Sequence, residues 1–147
     1  SMGRLLRLPV NDSVLPKMGR LAQGPMTMRL LPGEALVGSL SIDVAETDPT
    51  LLLVSRKGQM TRIDLTPLRR CQRGDLGIMA VVLSADEDSV AGLCSGDSLA
   101  GIVTDQKRHG RLDAGAVVVT AAGQSWGNQL DLNSKEQVVS VVALKTS

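Results

Sequence analysis

The chain has 147 residues, 43% of them hydrophobic, and a formal net charge of +1. This length fits one domain that can bury a core, and the small net charge argues against a strongly basic nucleic-acid binder. No stretch approaches the roughly 20 apolar residues of a membrane span, and the polar, basic start does not resemble a signal peptide.

The leading residues, Ser1 and Met2, are interpreted as an expression scar, so residues 3–147 form the predicted domain. The chain contains no Phe or Tyr and one Trp, so Leu and Val must fill the core. Two cysteines, Cys71 and Cys94, fit small residues of a reduced cytoplasmic protein better than a disulfide scaffold. They also lack the Cys-x-x-Cys spacing of zinc sites.

The pattern of short apolar runs predicts an all-β fold. Fifteen glycines and six prolines interrupt the chain, and the runs between them are rich in Val, Leu and Ile. One helical turn is predicted at residues 66–70. The predicted strands are 5–8, 27–31, 35–42, 51–55, 60–63, 78–83, 89–95, 100–104, 110–113, 129–132 and 137–144.

Residues 50–64 predict a β-hairpin with a cationic tip. The apolar run 51–54 is typical of a strand buried on both faces, and Gly58 can supply the positive φ of a tight turn. In the second strand we expect Met60 to point inward and Thr61 outward. Alone, such a hairpin is most simply a solvated surface feature.

The hairpin recurs along the chain. Residues 101–113 match it with a shift of 49 positions, and residues 3–8 match its second half with a shift of 55. A glycine-containing block follows each copy, at 19–24, 72–77 and 123–127. Repeats at this period predict a propeller-like array of about three four-stranded blades, with units 3–49, 50–98 and 99–147. We refer to these as units 1, 2 and 3.

Charge alternates in sign along the repeats. Five basic residues and one acidic residue give 5 − 1 = +4 over 3–29, and four acidic residues give −4 over 30–55. Six basic residues and one acidic residue give 6 − 1 = +5 over 56–73, and six acidic residues give −6 over 74–105. Because equivalent positions of an array lie on one side, the basic hairpins predict a one-sided cationic rim suited to phosphates. Scattered solvating charges are the alternative.

The motifs of unit 2 resemble those of a known family. The elements Arg-Lys-Gly, Gln-Met-Thr-Arg and Ile-Asp-Leu, followed by Arg-Gly-Asp-Leu-Gly-Ile, resemble the repeat of the C-terminal domain of the bacterial DNA gyrase A protein and of its topoisomerase IV counterpart. The resemblance covers nearly the whole chain and is best at 51–83. It implies a β-pinwheel, in which neighbouring blades exchange strands, and a sequence-independent module that binds and bends duplex DNA.

The resemblance also implies the binding residues and the partners. Phosphate contacts are expected from the basic side chains of the repeats: Arg4, Arg7, Arg20, Arg56, Lys57, Arg62, Arg69, Arg70, Arg73, Lys107, Arg108 and Arg111. The implied partners are duplex DNA and the catalytic core of a type IIA topoisomerase, in the bacterial nucleoid. The family has five or six blades and a Gln-Arg-Arg-Gly-Gly-Lys-Gly box. Here the corresponding loop, 19–24, keeps only Arg20 and flanking glycines, so bending is expected rather than full wrapping.

The residues do not favour an enzyme, a metal or a cofactor. Type II topoisomerases cleave DNA through a tyrosine, and this chain has none. His109 is interpreted as a solvated tip residue rather than a base. The cluster Asp86-Glu87-Asp88 is interpreted as a solvated turn, with a cation site as the alternative.

Two questions of function and assembly stay open at this stage. The alternative to DNA binding is a propeller-like protein-interaction module whose basic strips meet an acidic partner. The long apolar segment 138–144 is an aggregation hazard unless it is paired. We expect it to pack either into unit 1 of its own chain or into a second chain, which would give a homodimer.

Overall fold

The computed structural model describes residues 1–43, 45–84 and 87–144. These residues form ten strands and one 3-10 turn, so the predicted all-β class is confirmed. The strands are β1 (Arg4–Leu5), β2 (Thr50–Ser55), β3 (Gln59–Asp64), β4 (Ile78–Met79), β5 (Val90–Ser95), β6 (Leu99–Thr104), β7 (His109–Asp113), β8 (Val119–Thr120), β9 (Asn128–Gln129) and β10 (Val138–Leu144). The described residues contain no helix of the length and apolarity needed to cross a membrane.

The predicted hairpin at 50–64 is formed by β2 and β3. The strands are antiparallel, with Leu52 opposite Arg62 and Val54 opposite Met60. Gly58 closes the turn with φ +83° and donates its N–H to the Ser55 carbonyl at 3.0 Å. The orientation predicted for Thr61 is wrong, because its side chain is buried and its Oγ1 lies 2.7 Å from Oγ1 of Thr120.

Units 2 and 3 repeat one pattern of strand pairing. In unit 2 the hairpin strand β2 pairs with both β3 and β5, and in unit 3 β6 pairs with both β7 and β10. The loops follow the same rule: Arg56 donates its N–H to the Ser89 carbonyl, and Asp105, 49 positions later, donates to the Gln137 carbonyl. The repeat read from the sequence is therefore a repeat of hydrogen bonds.

Successive units also exchange strands. In unit 1, β1 pairs with β4 of unit 2, with Arg4 opposite Met79. In unit 2, β3 pairs with β9 of unit 3, with Gln59 opposite Gln129, and its far end pairs with β8. The second hairpin strand of each of these units is thus completed by the next unit. This is the strand exchange expected of a pinwheel.

The hydrophobic core lies on both faces of the β2–β3 hairpin. Because side chains of a strand alternate between faces, Leu52, Val54 and Met60 join a cluster shared with unit 3, whereas Leu51, Leu53 and Ile63 join one shared with unit 1. All four residues of the run 51–54 are at most 4% exposed, which confirms a strand buried on both faces. Cys71 and Cys94 are buried, unpaired thiols, and burial raises the pKa of Cys94.

Several predicted elements are wrong or shorter. The segments 27–31 and 35–42 are not strands. The helical turn predicted at 66–70 is instead a hydrogen-bonded turn of residues 65–68, in which the Leu68 N–H donates to the Leu65 carbonyl. The strand predicted at 5–8 is limited to β1, and that at 78–83 is limited to β4. Strand β8 was not predicted. In units 2 and 3 the last strand, β5 or β10, pairs with the first strand of the hairpin, β2 or β6. Among the described residues no strand pairs with 35–42 in this way.

The expectation that the C-terminal apolar segment packs into unit 1 is also wrong. Strand β10 pairs with β6 of its own unit, from Val138 opposite Thr104 to Leu144 opposite Leu99. It also packs against β5 of unit 2, where the Val141 side chain covers Gly92. The segment is therefore the regular closing strand of unit 3.

Gly58 allows a test of the strand exchange. A Cβ on Gly58 would lie 2.8 Å from Cδ1 of Leu132 and 3.1 Å from Cβ of Leu130, both in unit 3. We expect Gly58→Ala to lower the free energy of unfolding by about 2–5 kcal/mol, combining left-handed strain with overpacking. Gly74 is the matched control, since it has φ +85° but nothing within 4 Å of the added Cβ. Gly74→Ala should cost only about 1–2 kcal/mol. Urea unfolding of both variants measures the difference, and equal losses would contradict a crowded junction at Gly58.

Candidate nucleic-acid interface

The tip of the second hairpin presents two cations on a fixed backbone. Arg56 donates its N–H to the Ser89 carbonyl at 2.8 Å, and its own carbonyl accepts from the Val138 N–H at 2.8 Å. Lys57 donates its N–H to the Asp88 carboxylate at 3.1 Å, and its carbonyl accepts from the Gln129 side chain at 2.8 Å. Both side chains are exposed. Residues of unit 2 itself and of unit 3 therefore hold the main chain, and the cationic side chains are left to solvent.

Two more exposed arginines occupy equivalent turns in successive units. Arg20 follows Gly19 in a turn closed by the Ala22 N–H donating to the Gly19 carbonyl at 3.0 Å. Arg73 follows Gln72 in a turn closed by the Asp75 N–H, which donates to the Gln72 carbonyl at 3.2 Å. These turns belong to the glycine-containing blocks identified in the sequence. Arg69 and Arg70, between β3 and the second of these turns, are also exposed.

Arg4 and Arg108 occupy equivalent positions and form ion pairs within the chain. Arg4 donates to both carboxylate oxygens of Glu34, through Nε at 2.8 Å and through Nη2, and to the Leu76 carbonyl at 2.8 Å. Arg108 donates from Nη1 to the Glu136 carboxylate at 2.6 Å. The Arg4 side chain is 9% exposed and that of Arg108 is 51% exposed, so only Arg108 could reach a further anion without leaving its partner.

The two glutamates close equivalent turns. Glu34 accepts from the Leu31 N–H at 2.6 Å, and Glu136 accepts from the Asn133 N–H at 2.8 Å, in each case three residues earlier. The Arg4 guanidinium, followed by the Leu31 N–H, lowers the pKa of Glu34 to about 2. The hydrogen bond from Thr104 is the main cause that lowers the pKa of Glu136. Both carboxylates are therefore held in the charged form.

Arg7 and Arg62 form a second equivalent pair, and both bind main-chain carbonyls. Arg7 of unit 1 donates from Nη1 to the carbonyls of Leu65 at 2.6 Å and Leu68 at 2.9 Å, in the turn that follows β3. Arg62 donates to the Gly96 carbonyl at 3.2 Å and lies 3.5 Å from the Asp97 carboxylate. Its Nε is buried without a hydrogen-bond acceptor among the described residues. Arg7 therefore links units 1 and 2, whereas Arg62 bonds within unit 2.

The structure thus divides the twelve predicted phosphate-binding residues into two groups. Arg4, Arg7 and Arg62 are partly buried and bonded within the chain, and Arg108 is exposed but ion-paired. The exposed group is Arg20, Arg56, Lys57, Arg69, Arg70, Arg73, Lys107 and Arg111. In that group Arg73 donates at 3.3 Å to the Val14 carbonyl.

The acidic residues that organise the repeat were not identified from the sequence. Glu34, Asp88 and Glu136 fall at corresponding places, and the last two are 3% and 4% exposed. The interpretation of Asp88 as solvated is wrong, because its carboxylate accepts from the Lys57 and Ser89 N–H groups. Asp86 lies outside the described residues, and Glu87 is exposed. Their spacing along the chain, which follows the period of the hairpin repeat, is the sequence feature that could have identified them.

His109 is exposed on β7, as expected of a solvated residue. It lines a shallow pocket of about 150 Å³ together with Arg108, Arg111 and the apolar side chains of Leu130 and Leu132. Unit 2 has an equivalent surface, and there it is covered by the side chain of Trp126, which belongs to unit 3. Trp126 donates its Nε1–H to the Val82 carbonyl at 2.9 Å. The pocket therefore corresponds to the surface that Trp126 covers in unit 2.

Comparisons with known proteins agree with this architecture. The sequence profile of a family described as DNA gyrase C-terminal domain, beta-propeller, matches residues 3–43 and 49–93. A crystal structure of the C-terminal domain of DNA topoisomerase IV superposes with a TM-score of 0.80 at 19% identity, over 92% of this chain and 42% of that one. A structure of the DNA gyrase A C-terminal domain gives a TM-score of 0.57 at 25% identity, over 64% and 33% of the two chains. No curated protein sequence matches the chain.

The pinwheel fold is therefore confirmed, and the chain spans less than half the length of either solved domain.

The ion pair at Glu34 predicts a pH dependence of stability. Its pKa is lowered in the folded state to about 2, from an ordinary value of 4.5. The stabilisation is therefore fully present above about pH 5 and is lost as the pH falls towards 2. Glu34→Gln should unfold more easily than the parent at neutral pH, and the two proteins should converge in stability as the pH approaches 2.

Urea unfolding across this pH range measures the effect. Glu46 is exposed and its side chain has no hydrogen-bond partner among the described residues, so Glu46→Gln is the control and should follow the parent throughout. A constant difference between the parent and Glu34→Gln from pH 6 to 2.5 would contradict the contribution of the charged pair.

Proposed function

The chain belongs to the family of DNA gyrase C-terminal domains, and from that premise we propose that it is a non-catalytic module that binds and bends duplex DNA beside a type IIA topoisomerase core. The observation that carries the proposal is the division among its cations. Those bonded within the chain either stabilise turns of their own unit or link unit 1 to unit 2, and a separate exposed group remains available for phosphates.

The hairpin tip at Arg56 and Lys57 is the best-prepared part of this surface. Its main chain is fixed by hydrogen bonds from units 2 and 3, so binding would cost little backbone ordering. A nearby acid, Asp88, is 3% exposed and its carboxylate accepts main-chain N–H groups rather than the cationic side chains. Two strong positive charges would thus meet a phosphate backbone without first breaking an ion pair.

We add the exposed arginines of the two equivalent turns to this proposed surface. Arg20 and Arg73 occupy the same place in units 1 and 2, so one repeat separates them, and Arg69 and Arg70 lie just before the second turn. Contacts spaced along the rim of a twisted array fit a bent duplex better than a straight one, and the bend would be repaid by added phosphate contacts. Phosphate contacts position DNA without reading its bases, so binding should be independent of sequence.

The proposal assigns no chemical step to this chain. It has no tyrosine, so the cleaving step implied by the resemblance would belong to the catalytic core that we propose as its partner. The loop 19–24 carries a single basic residue, Arg20, which favours bending over full wrapping. A duplex-binding role would place the chain on the bacterial chromosome.

Charge reversal at the hairpin tip tests the proposal. Arg56→Glu/Lys57→Glu should weaken binding to duplexes of different sequence by similar factors. The log–log dependence of the association constant on salt should flatten by about one unit for each phosphate that the variant no longer neutralises, because each neutralised phosphate adds roughly 0.9 to the slope. Fluorescence anisotropy with duplexes of matched length, at several salt concentrations, gives both quantities.

The control carries the same change of charge away from the hairpin tip. Lys17 and Arg29 are exposed and are not among the twelve predicted phosphate-binding residues, although the Arg29 N–H donates to the Asp75 carbonyl beside the turn of Arg73. Lys17→Glu/Arg29→Glu should therefore weaken binding less than the tip variant does. Equal weakening by both double variants would mean that net charge alone governs binding. Failure of the parent to bind duplex, together with binding to polyglutamate, would instead support the protein-interaction alternative.

A further inference from the structure

The acids at corresponding places in units 1 and 3 have the same kind of partner. Glu34 forms an ion pair with Arg4, and Glu136 forms one with Arg108. Each of these carboxylates also accepts a main-chain N–H from the residue three positions earlier. In both units the acid therefore fixes an arginine of the hairpin against a later turn of the same unit.

Unit 2 lacks this arginine. The equivalent residue is Gln59, which starts β3 and pairs with unit 3 as Arg4 starts β1 and pairs with unit 2. The side-chain oxygen of Gln59 accepts from the Ser84 hydroxyl. The acid of unit 2, Asp88, is 3% exposed, and it forms no salt bridge within the part of the chain that the structure describes. Its carboxylate is therefore not engaged by a cation as in the other two units.

Asp88 instead binds the main chain of the cationic tip. Its Oδ1 accepts from the Lys57 N–H at 3.1 Å and from the Ser89 N–H at 2.8 Å. The Ser89 carbonyl in turn accepts from the Arg56 N–H at 2.8 Å. One buried carboxylate thus holds both tip residues, Lys57 directly and Arg56 through the peptide that follows the acid.

The charge of Asp88 by itself would oppose DNA binding at this tip. A carboxylate 3.1 Å from the Lys57 main-chain nitrogen repels an approaching phosphate. Holding the main chain has the opposite effect on affinity, because a tip that is already ordered loses less conformational entropy when it binds. Asp88 can therefore favour binding only through the conformation of the tip.

We propose that Asp88 is a positioning residue for DNA binding, which holds Arg56 and Lys57 in place through their main chain. In unit 2 the substitution of glutamine for the arginine of the repeat leaves the carboxylate available for this role. The inference rests on the proposed function, since it assigns a role within the same surface. It predicts that loss of the carboxylate weakens DNA binding although a negative charge is removed.

Two substitutions of Asp88 separate its hydrogen bonds from its charge. Asp88→Asn keeps Oδ1 as an acceptor and should bind duplex at least as tightly as the parent. Asp88→Ala should bind about fivefold to thirtyfold more weakly, since two tip residues must then be ordered on binding. Fluorescence anisotropy below the melting temperature of every variant gives the affinities. Asp97 is an exposed acid at the other end of β5, so Asp97→Ala is the charge control and should not weaken binding.

A double-mutant cycle identifies the residues through which Asp88 acts. In an Arg56→Ala/Lys57→Ala background, Asp88→Ala should change the affinity by less than about twofold, because the cations that it positions are gone. An equal loss in both backgrounds would overturn the proposal, as would an Asp88→Asn variant that is as weak as Asp88→Ala. Amide hydrogen exchange should be faster at Lys57 in Asp88→Ala than in the parent, and unchanged exchange would also overturn it.

A second variant gives unit 2 the ion pair of unit 3. Gln59→Arg/Asp88→Glu should engage the carboxylate with the new guanidinium and release the Lys57 N–H. It should fold as the parent does but bind duplex severalfold more weakly, although it carries one more positive charge. Tighter binding, as the added charge alone predicts, would overturn the proposal. Failure of the parent to bind duplex would overturn the proposed function itself, whereas a parent that binds and an Asp88→Ala variant that binds equally well would overturn only this inference.

Discussion

The crossing of a strand over a glycine at each junction is the constraint on which the array depends. The Gly3 and Gly58 carbonyls accept the N–H groups of Ala80 and Leu130, and the space for a Cβ at either glycine is already taken. Because the second hairpin strand is completed by the next unit, no unit buries its core alone. Both hydrophobic clusters accordingly combine residues of adjacent units.

This arrangement determines what the arginines do. An arginine at the start of the second hairpin strand meets a glutamate some 30 residues later, as with Arg4 and Glu34, and fixes the hairpin against the closing turn. An arginine three positions further on, such as Arg7, reaches carbonyls of the next unit. Unit 3 differs, since the described residues provide no following unit and Arg111 is exposed. The basic residues of the repeat therefore have structural and surface roles that the charge count alone does not separate.

The sequence correctly predicted the features that depend on local residue pattern. It predicted the β2–β3 hairpin with Gly58 at its turn and the period of the repeat, and the resemblance to a known family implied that the units pair as a pinwheel. It failed where a strand depends on a distant partner: the apolar segment 35–42 corresponds to β5 in the repeat, but among the described residues no strand pairs with it as β2 pairs with β5. It also failed to separate paired from exposed arginines, because the partner of Arg4 is a glutamate in another charge block. The turn spacing shared by Glu34 and Glu136 could have revealed those pairs.

The division between bonded and exposed arginines is the central claim, and side-chain NMR during titration with a short DNA duplex tests it most directly. The Nε–Hε signals of Arg56, Arg69, Arg70 and Arg73 should shift as duplex is added. Those of Arg4 and Arg7 should stay in place, because their guanidinium groups are already bonded to Glu34 and to main-chain carbonyls. Shifts of Arg4 and Arg7 as large as those of Arg56 would show that the bonded group also meets DNA, and would contradict the account.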